Sequence, residues 1–425
     1  MKYFLSLLFI LLFFNKGFSQ IDSTCVKTSQ QDSIRKAEFL RSIGNGYFPT
    51  KYINIDLRYL IKYNQYEGFR TGLGGITNTT FSPNFRLQGY TVYGFLDDAF
   101  KYSFGGGFRI SKNTNTWINL TYTDDLQETG SSNFLTDKRF FQFFEPRLIN
   151  IDLFHKHISK TVSVEHQLLP KVITETQFGV SKITPTYNYT FNLGSEGSFN
   201  SYNLTLFKTS LQWNPFSDFE YTDNGINETT IGYPKFTLQY TKSLANVLDG
   251  DLSFSKVDFR TIQKFNYKNN ASTEFVLTTG MTSENTPLTH MYHAYPNNVN
   301  KETIQNRFSV AGTNSFETMY FNEFFSDKFA TFQVKHALAP FNISPWFKPQ
   351  LVLISRFALG TMKDPYRHEG INFSTLDKGF TESGLEINKL FFGFGLSFAY
   401  RYGAYHLPKL EDNIAVKFTF NISID

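Results

Sequence analysis

Large apolar side chains recur at every second position along much of this chain. Phe392, Phe394, Leu396, Phe398, Tyr400 and Tyr402 alternate with Gly393, Gly395, Ser397, Ala399 and Arg401. Ile414, Val416, Phe418, Phe420, Ile422 and Ile424 alternate with Ala415, Lys417, Thr419, Asn421 and Ser423. Period two predicts a β-strand with one apolar and one polar face. Both stretches exceed the common strand length of about 5–6 residues. Strands of about ten residues, apolar outward and polar inward, suit a transmembrane β-barrel. The same alternation marks Ile53, Ile55, Leu57, Tyr59 and Ile61, then Tyr102, Phe104, Gly106, Phe108 and Ile110, then Ile118, Leu120 and Tyr122. Further strands are predicted near 67–77, 82–97, 158–168, 171–184, 200–214, 232–244, 249–264, 272–283, 329–339, 347–358 and 380–388. The expected class is an all-β, antiparallel transmembrane barrel of about sixteen strands. Several middle strands alternate poorly, so fourteen or eighteen stay open.

The connections fit that class. Bacterial barrels have short periplasmic turns and long outer loops. With both termini periplasmic, the long stretches near 127–157, 185–199, 284–328 and 359–379 all fall on the outer side. The turns at 78–81, 112–115, 169–170 and 388–389 fall on the inner side. The stretch 216–231 is the exception, which means a shifted register or one elaborated turn. A soluble β-sandwich or propeller is the alternative, but no internal repeat is visible.

The N-terminus and composition sharpen this picture. Met1-Lys2 followed by the apolar run Tyr3–Phe14, with small residues at 17 and 19, predicts a secretory signal peptide cut after Ser19. The expected plan is a signal peptide at 1–19, a short periplasmic leader at 20–48 with a helix over Ser33–Ile43, and a barrel at 49–425. That run is too short for a membrane-spanning helix, which needs about 20 residues. Aromatic residues make up 18%, with 49 Phe and 24 Tyr, while charged residues are also 18%. The aromatic excess suits the girdles of outer-membrane barrels. A formal charge of +4 is too small to point to nucleic acid. The single cysteine, Cys25, excludes an internal disulfide, and polar Asp22-Ser23-Thr24 before it does not match a lipid-attachment motif.

Candidate chemistry is sparse. The polar faces place Gln333, Lys335, Gln350 and Arg356 in the lumen, where charges pair or meet water. A loop of about 45 residues is unsuited to projecting freely. Its Asn314-Ser315-Phe316-Glu317-Thr318-Met319 and Glu323 are expected to fold inward, with Glu317 or Glu323 meeting Lys335 or Arg356. Loop charges left in solvent are the competing expectation. His155-Lys156-His157 puts two imidazoles on one strand face, but a two-ligand set is weak and a solvated loop is favoured. His166, His290, His293, His336, His368 and His406 show no diagnostic spacing with a serine. No catalytic set, cofactor or metal site is expected. Glycines at 72, 74, 75 and 105–107 read as bends or close packing in the wall.

Tyr63-Asn64-Gln65-Tyr66-Glu67-Gly68-Phe69-Arg70-Thr71-Gly72-Leu73-Gly74-Gly75 resembles a motif of the outer-membrane insertase (bacterial surface antigen) superfamily. More closely, the chain is similar to a Bacteroidetes outer-membrane barrel family of unknown function, whose longer members carry a carboxypeptidase-regulatory-like domain. The shared stretches are Phe85–Tyr90, Tyr93–Phe95, Phe100–Tyr102, Phe316–Met319, Glu323–Asp327, Lys378–Asn388 and Tyr400–Gly403, and the resemblance spans roughly 33–425. It implies a sixteen-stranded outer-membrane barrel with no established activity. The predicted leader leaves no room for the regulatory-like domain, and POTRA repeats are not seen. Insertase-type barrels carry an Arg-Gly-Phe/Tyr-type motif before the twelfth strand, whereas Asn314-Ser315-Phe316-Glu317 lacks the arginine. Both departures count against insertion activity.

Two functions therefore stay open. One is a transport or assembly barrel, substrate unknown, in the outer membrane of a Gram-negative cell. The other is a non-catalytic structural or partner-binding barrel plugged by its long outer loop. The expected partners are outer-membrane lipid and proteins of the outer membrane or periplasm, and not nucleic acid.

Overall fold

The computed structural model describes residues 46–139, 146–222, 225–303, 306–344, 347–391 and 393–420, with Phe39, Ser42 and Ile43, which are helical. The expected signal peptide, most of the leader, Phe392, Ile422 and Ile424 lie outside these residues. Every strand belongs to the unit Ile43–Asp425. The first strands are β1 (Tyr47–Pro49), β2 (Ile53–Asp56), β3 (Ile61–Asn64), β4 (Gly68–Thr77), β5 (Phe85–Gly94), β6 (Ala99–Ser111), β7 (Thr116–Glu128), β8 (Phe154–Leu169) and β9 (Val172–Pro185). There follow β10 (Thr190–Asn192), β11 (Ser198–Phe199), β12 (Tyr202–Trp213), β13 (Asp218–Thr222), β14 (Gly225–Thr230), β15 (Lys235–Ser243), β16 (Ser255–Asn266) and β17 (Ser272–Thr282). The last are β18 (Pro296–Asn298), β19 (Ser309–Val310), β20 (Phe316–Tyr320), β21 (Lys328–Ala337), β22 (Gln350–Thr361), β23 (His368–Glu369), β24 (Phe380–Phe391), β25 (Phe394–Tyr402) and β26 (Ile414–Phe420).

The long strands form one antiparallel meander. β2 and β3 both pair with β4, and β4 to β9 pair in succession. The ladder continues β9–β12–β15–β16–β17. It ends β17–β21–β22–β24–β25–β26. With β1 and β19 this makes a 19-stranded sheet. Among the described residues no ladder joins β2 or β3 to β26. None of the described helices is long and apolar enough to cross a membrane.

The polarity of the sheet is inverted relative to a soluble protein. On β6, Phe100, Phe104 and Phe108 are exposed while Lys101 and Ser103 are buried. On β25 and β26, Leu396 and Phe418 are 40% and 43% exposed, whereas Arg401 and Lys417 are each 1% exposed. Burying a large apolar side chain gains about 1.5–3 kcal/mol. A sheet that leaves dozens of them outside has its outer face turned to an apolar solvent.

Connections alternate between two ends. The turns 78–84, 112–115, 170–171, 267–271 and 338–349 lie at one end, and 129–153, 186–201, 283–327 and 362–379 at the other. The anomalous stretch near 216–231 is an elaborated turn: β13 and β14 pair as a hairpin, and the strand order on either side is undisturbed.

The continuous first strand expected over Ile53–Ile61 is interrupted. Leu57–Tyr59 form a short 3-10 turn between β2 and β3, because the Asp56 carboxylate accepts the Arg58 N–H at 3.0 Å and binds its guanidinium. The turn carries Tyr59 onto the inner face, where it stacks on Tyr90 at 4.0 Å. Gly74 leaves room for it, since a Cβ there would lie 2.4 Å from the Tyr59 ring. The following hairpin is equally local. Asn64 Oδ1 accepts the N–H groups of Tyr66 and Glu67 at 3.0 and 2.7 Å, and Gly68 supplies a φ of +65°. The motif at 63–75 is thus first of all a strand, turn and strand with a tyrosine folded over it.

Candidate functional site

The interior has two parts. On the β17–β26 side, the connection 283–327 lies against the inner face. Within it β18 and β20 pair in parallel. Phe316, Met319 and Phe324 pack with Phe329, Leu376 and Phe380 in one apolar cluster. Phe316 meets Phe380 edge-on at 5.6 Å.

Charge closes this contact. Glu317 is 1% exposed. Its carboxylate accepts from Lys417 Nζ at 3.0 Å, Asn297 Nδ2 at 2.8 Å, Ser315 Oγ at 2.7 Å and the Gly312 N–H at 3.0 Å. Burial opposes ionisation of Glu317, but Lys417, Arg356 and the Ser315 hydrogen bond prevail and hold its carboxyl below the usual range. Glu323 binds the Arg401 guanidinium through both oxygens, at 2.7 and 3.0 Å, and that guanidinium lies 4.8 Å over the Phe380 ring.

The loop acids therefore meet other cations than Lys335 and Arg356. Arg356 and Glu382 are register partners on β22 and β24 and pair at 2.6 Å, so a wall acid already occupies that guanidinium. Glu382 in turn accepts the N–H groups of Glu317 and Thr318 at 3.1 and 2.6 Å. Arg356 reaches the loop through Glu382, and Lys335 through the Thr313 carbonyl. Sequence reasoning placed Lys417 and Arg401 on inward faces but did not connect them to the loop. No local spacing links residues about a hundred positions apart.

The same connection reaches the last strand. β19 pairs in parallel with β26 at Lys417 and Phe418, the Ala311 N–H donates to the Phe418 carbonyl at 2.7 Å, and Phe308 meets Phe418 edge-on at 4.4 Å. At the other end of the meander, β1 covers β2.

On the β4–β9 side the inner face borders a cavity of about 770 Å³. Two of its arginines are matched within the wall. Arg70 binds Asp125 bidentately at 2.7 Å, and Tyr90 OH donates to Asp125 at 2.5 Å. Arg86 pairs with Glu165 at 2.8 Å and lies 4.4 Å over Trp117. Toward the long-connection end the lining includes His155, His157, Lys208, Lys256 and His290. The solvated loop favoured for His155 is overturned: β8 starts at Phe154, and His155 is 2% exposed.

Over that end, β10, β11 and β23 form a small sheet. It seats Tyr189, Phe191 and Met362 on Tyr202, Leu252 and Phe254. His368 stacks on Phe191 at 5.2 Å and its Nδ1 lies 2.9 Å from Tyr189 OH. Burial, and secondarily Arg367, pushes the imidazole down to about 4, with Asp364 opposing. Among the described residues no group of three or more His, Cys, Asp or Glu side chains is disposed to hold a metal ion.

No family model matches the chain, and no curated protein matches it. Solved structures do. A crystal structure of BamA from Haemophilus ducreyi lacking POTRA domains 1–3 is similar over 94% of this chain and 79% of that one, with a TM-score of 0.50 at 10% identity. CdiB from Acinetobacter baumannii aligns over 87% of this chain and 59% of that one, with a TM-score of 0.42 at 11% identity. The likeness to the BamA structure shows a shared β-barrel fold.

Proposed function

We propose that the chain is an outer-membrane β-barrel of about sixteen strands, with its first and last strands completing the cylinder. A signal peptide cleaved after Ser19 delivers it. It acts in transport or assembly and not in catalysis. The carrying observation is the inverted polarity: exposed Phe104, Leu396 and Phe418 outside, buried Arg401, Lys417 and Arg356 inside. Lipid solvates the first set, and the interior pairs the second. The fold it shares with BamA supports the same class and names no client. The loop contacts of Phe316, Glu317 and Glu323 anchor a plug on one side, leaving the cavity side as the passage.

The test is single-channel conductance of the purified chain in planar bilayers, after its gel migration has been shown to be heat-modifiable. Steady ion flow is expected. A detergent-free monomer with no heat-modifiable shift would falsify the barrel itself.

The second reading is a closed, partner-binding barrel. It is favoured by the buried Glu317–Lys417 pair and by the β10–β11–β23 sheet over the long-connection end. Electrical silence together with a stoichiometric co-purifying protein distinguishes it from the first.

A further inference from the structure

On the outer face of β8 and β9, Val162, Val164, Phe178 and Val180 share one side of the sheet, with Val162 and Phe178 42% and 37% exposed. Nearer the long-connection end the same face carries three exposed lysines, Lys156 and Lys160 on β8 and Lys182 on β9. Register sets Lys182 opposite Ile158, so Lys182 is the diagonal neighbour of both other lysines. Diagonal neighbours lie about 7–8 Å apart. Lysine stems of four carbons can close that gap on a shared anion. Aromatic rings mark the same level. Tyr122, the register partner of Lys160, stacks on Tyr102 at 6.0 Å. Tyrosines of that kind gather where a barrel wall meets lipid headgroups.

The lysines outnumber the acids around them. On β7, Asp124 is the register partner of Ile158 and stands diagonally to Lys156 and Lys160. Three ammonium groups thus face one carboxylate. Of the nearby loop acids, Asp251 accepts the Asn203 N–H at 2.6 Å and Asp152 accepts from Asn322 Nδ2 at 3.0 Å. Among the described residues no carboxylate lies within ion-pair range of Lys156, Lys160 or Lys182. A lysine on the lipid face is costly at the midplane and cheap near the interface. Its stem covers apolar wall while its ammonium reaches the headgroups. Basic clusters at that level attract anionic lipid. The valines and Phe178 beneath give the acyl chains of the same lipid a surface. A dication would be repelled, and a soluble anion would leave that apolar surface unused.

We propose that Lys156, Lys160 and Lys182 bind the phosphate headgroup of an anionic lipid in the leaflet at the long-connection end. The site rests on the reading of the outer face as lipid-facing. It does not depend on what the barrel transports or docks.

The test uses the full chain in a nonionic detergent. Phosphatidylglycerol and phosphatidylcholine are titrated in parallel, and bound lipid is counted by native mass spectrometry. Saturable binding of phosphatidylglycerol is expected at a concentration about tenfold below that of phosphatidylcholine. Lys156→Gln, Lys160→Gln and Lys182→Gln together abolish the preference, the three arginine replacements keep it, and Asp124→Asn strengthens it. Should the triple glutamine variant lack a heat-modifiable band, Lys182→Gln takes its place, with a loss of about fivefold expected. Equal affinity for the two lipids, or an undiminished preference in the folded variant, overturns the site. Displacement of the lipid by an equal concentration of inorganic phosphate overturns the lipid as its occupant. A parent chain with no heat-modifiable shift removes the barrel reading, and the site with it.

Discussion

On the β17–β26 side the inner face is covered by the connection 283–327, and on the β4–β9 side it borders a cavity of about 770 Å³. Both sides turn apolar side chains outward, and both hold arginines and carboxylates inward. They differ in where each charge finds its partner. On the open side the partners sit on the wall itself, as Arg70 with Asp125 and Arg86 with Glu165. On the filled side Lys417 and Arg401 depend on Glu317 and Glu323, which the loop supplies. Those two pairs are complete without any connection, whereas Glu128 on β7 takes Arg147 and His293 from the connections. The filled wall is complete only with the loop in place, which makes the loop a structural member of that half.

The largest test of this contrast is Glu317→Gln. It leaves the Lys417 ammonium buried and short of its carboxylate, a loss of about 3–5 kcal/mol for a pair this dry. The midpoint of the heat-modifiable gel shift should fall accordingly. Bilayer recordings should show a conductance above that of the unaltered chain as the loop loosens. Replacing both partners, Glu317→Leu with Lys417→Met, should recover most of the loss, because no charge is then stranded. An unchanged midpoint in Glu317→Gln would mean that the loop does not complete the wall.

Next in size is acidification of the cover at the long-connection end. His368 has its folded pKa depressed to about 4 from 6.5. Its neutral form is therefore favoured by the fold, and the stabilisation is complete above pH 6.5. It drains as pH falls toward 4, by at most about 3 kcal/mol. Limited proteolysis of 186–201 and 362–379 should accelerate across that window. His368→Phe keeps the stack on Phe191 and should flatten the dependence. Glu317, whose carboxyl Lys417 and Arg356 hold below the usual range against its burial, should keep its part of the connection 283–327 resistant over the same range.

Much of this architecture was legible in the sequence because a strand records its faces locally. Phe100 to Ile110 and Phe394 to Tyr402 announce their outer sides by period two alone. The alternation of long and short connections is equally a property of the linear order. The interior was less legible, since it depends on pairs distant in sequence. Glu317 and Lys417 are neighbours only after β26 has joined the sheet and β19 has paired with it. Arg356 looked available to the loop because its wall partner Glu382 is fixed by register, which spacing does not disclose. The break at Leu57–Tyr59 was hidden for the opposite reason. The apolar positions kept their period, and only the hydrogen bonds of Asp56 to Arg58 decided against a continuous strand.

The smallest expected effect is the most discriminating. Arg70→Gln removes the partner of Asp125, as Glu317→Gln removes the partner of Lys417. Both are ion pairs on an inner face. The exposures differ, however: 12% for each side chain of the Arg70–Asp125 pair, against 1% for each in the Glu317–Lys417 pair. Beside a cavity, water can reach the stranded carboxylate, and Tyr90 OH still donates to it. The loss should be about 1–2 kcal/mol, the ordinary range for a hydrogen-bonded group left partly satisfied. Read on the same gel assay, the two midpoints should separate clearly, with Arg70→Gln the milder. Equal losses would mean that the cavity is as dry as the filled side, and the division of the interior into an open and a closed half would have to be abandoned.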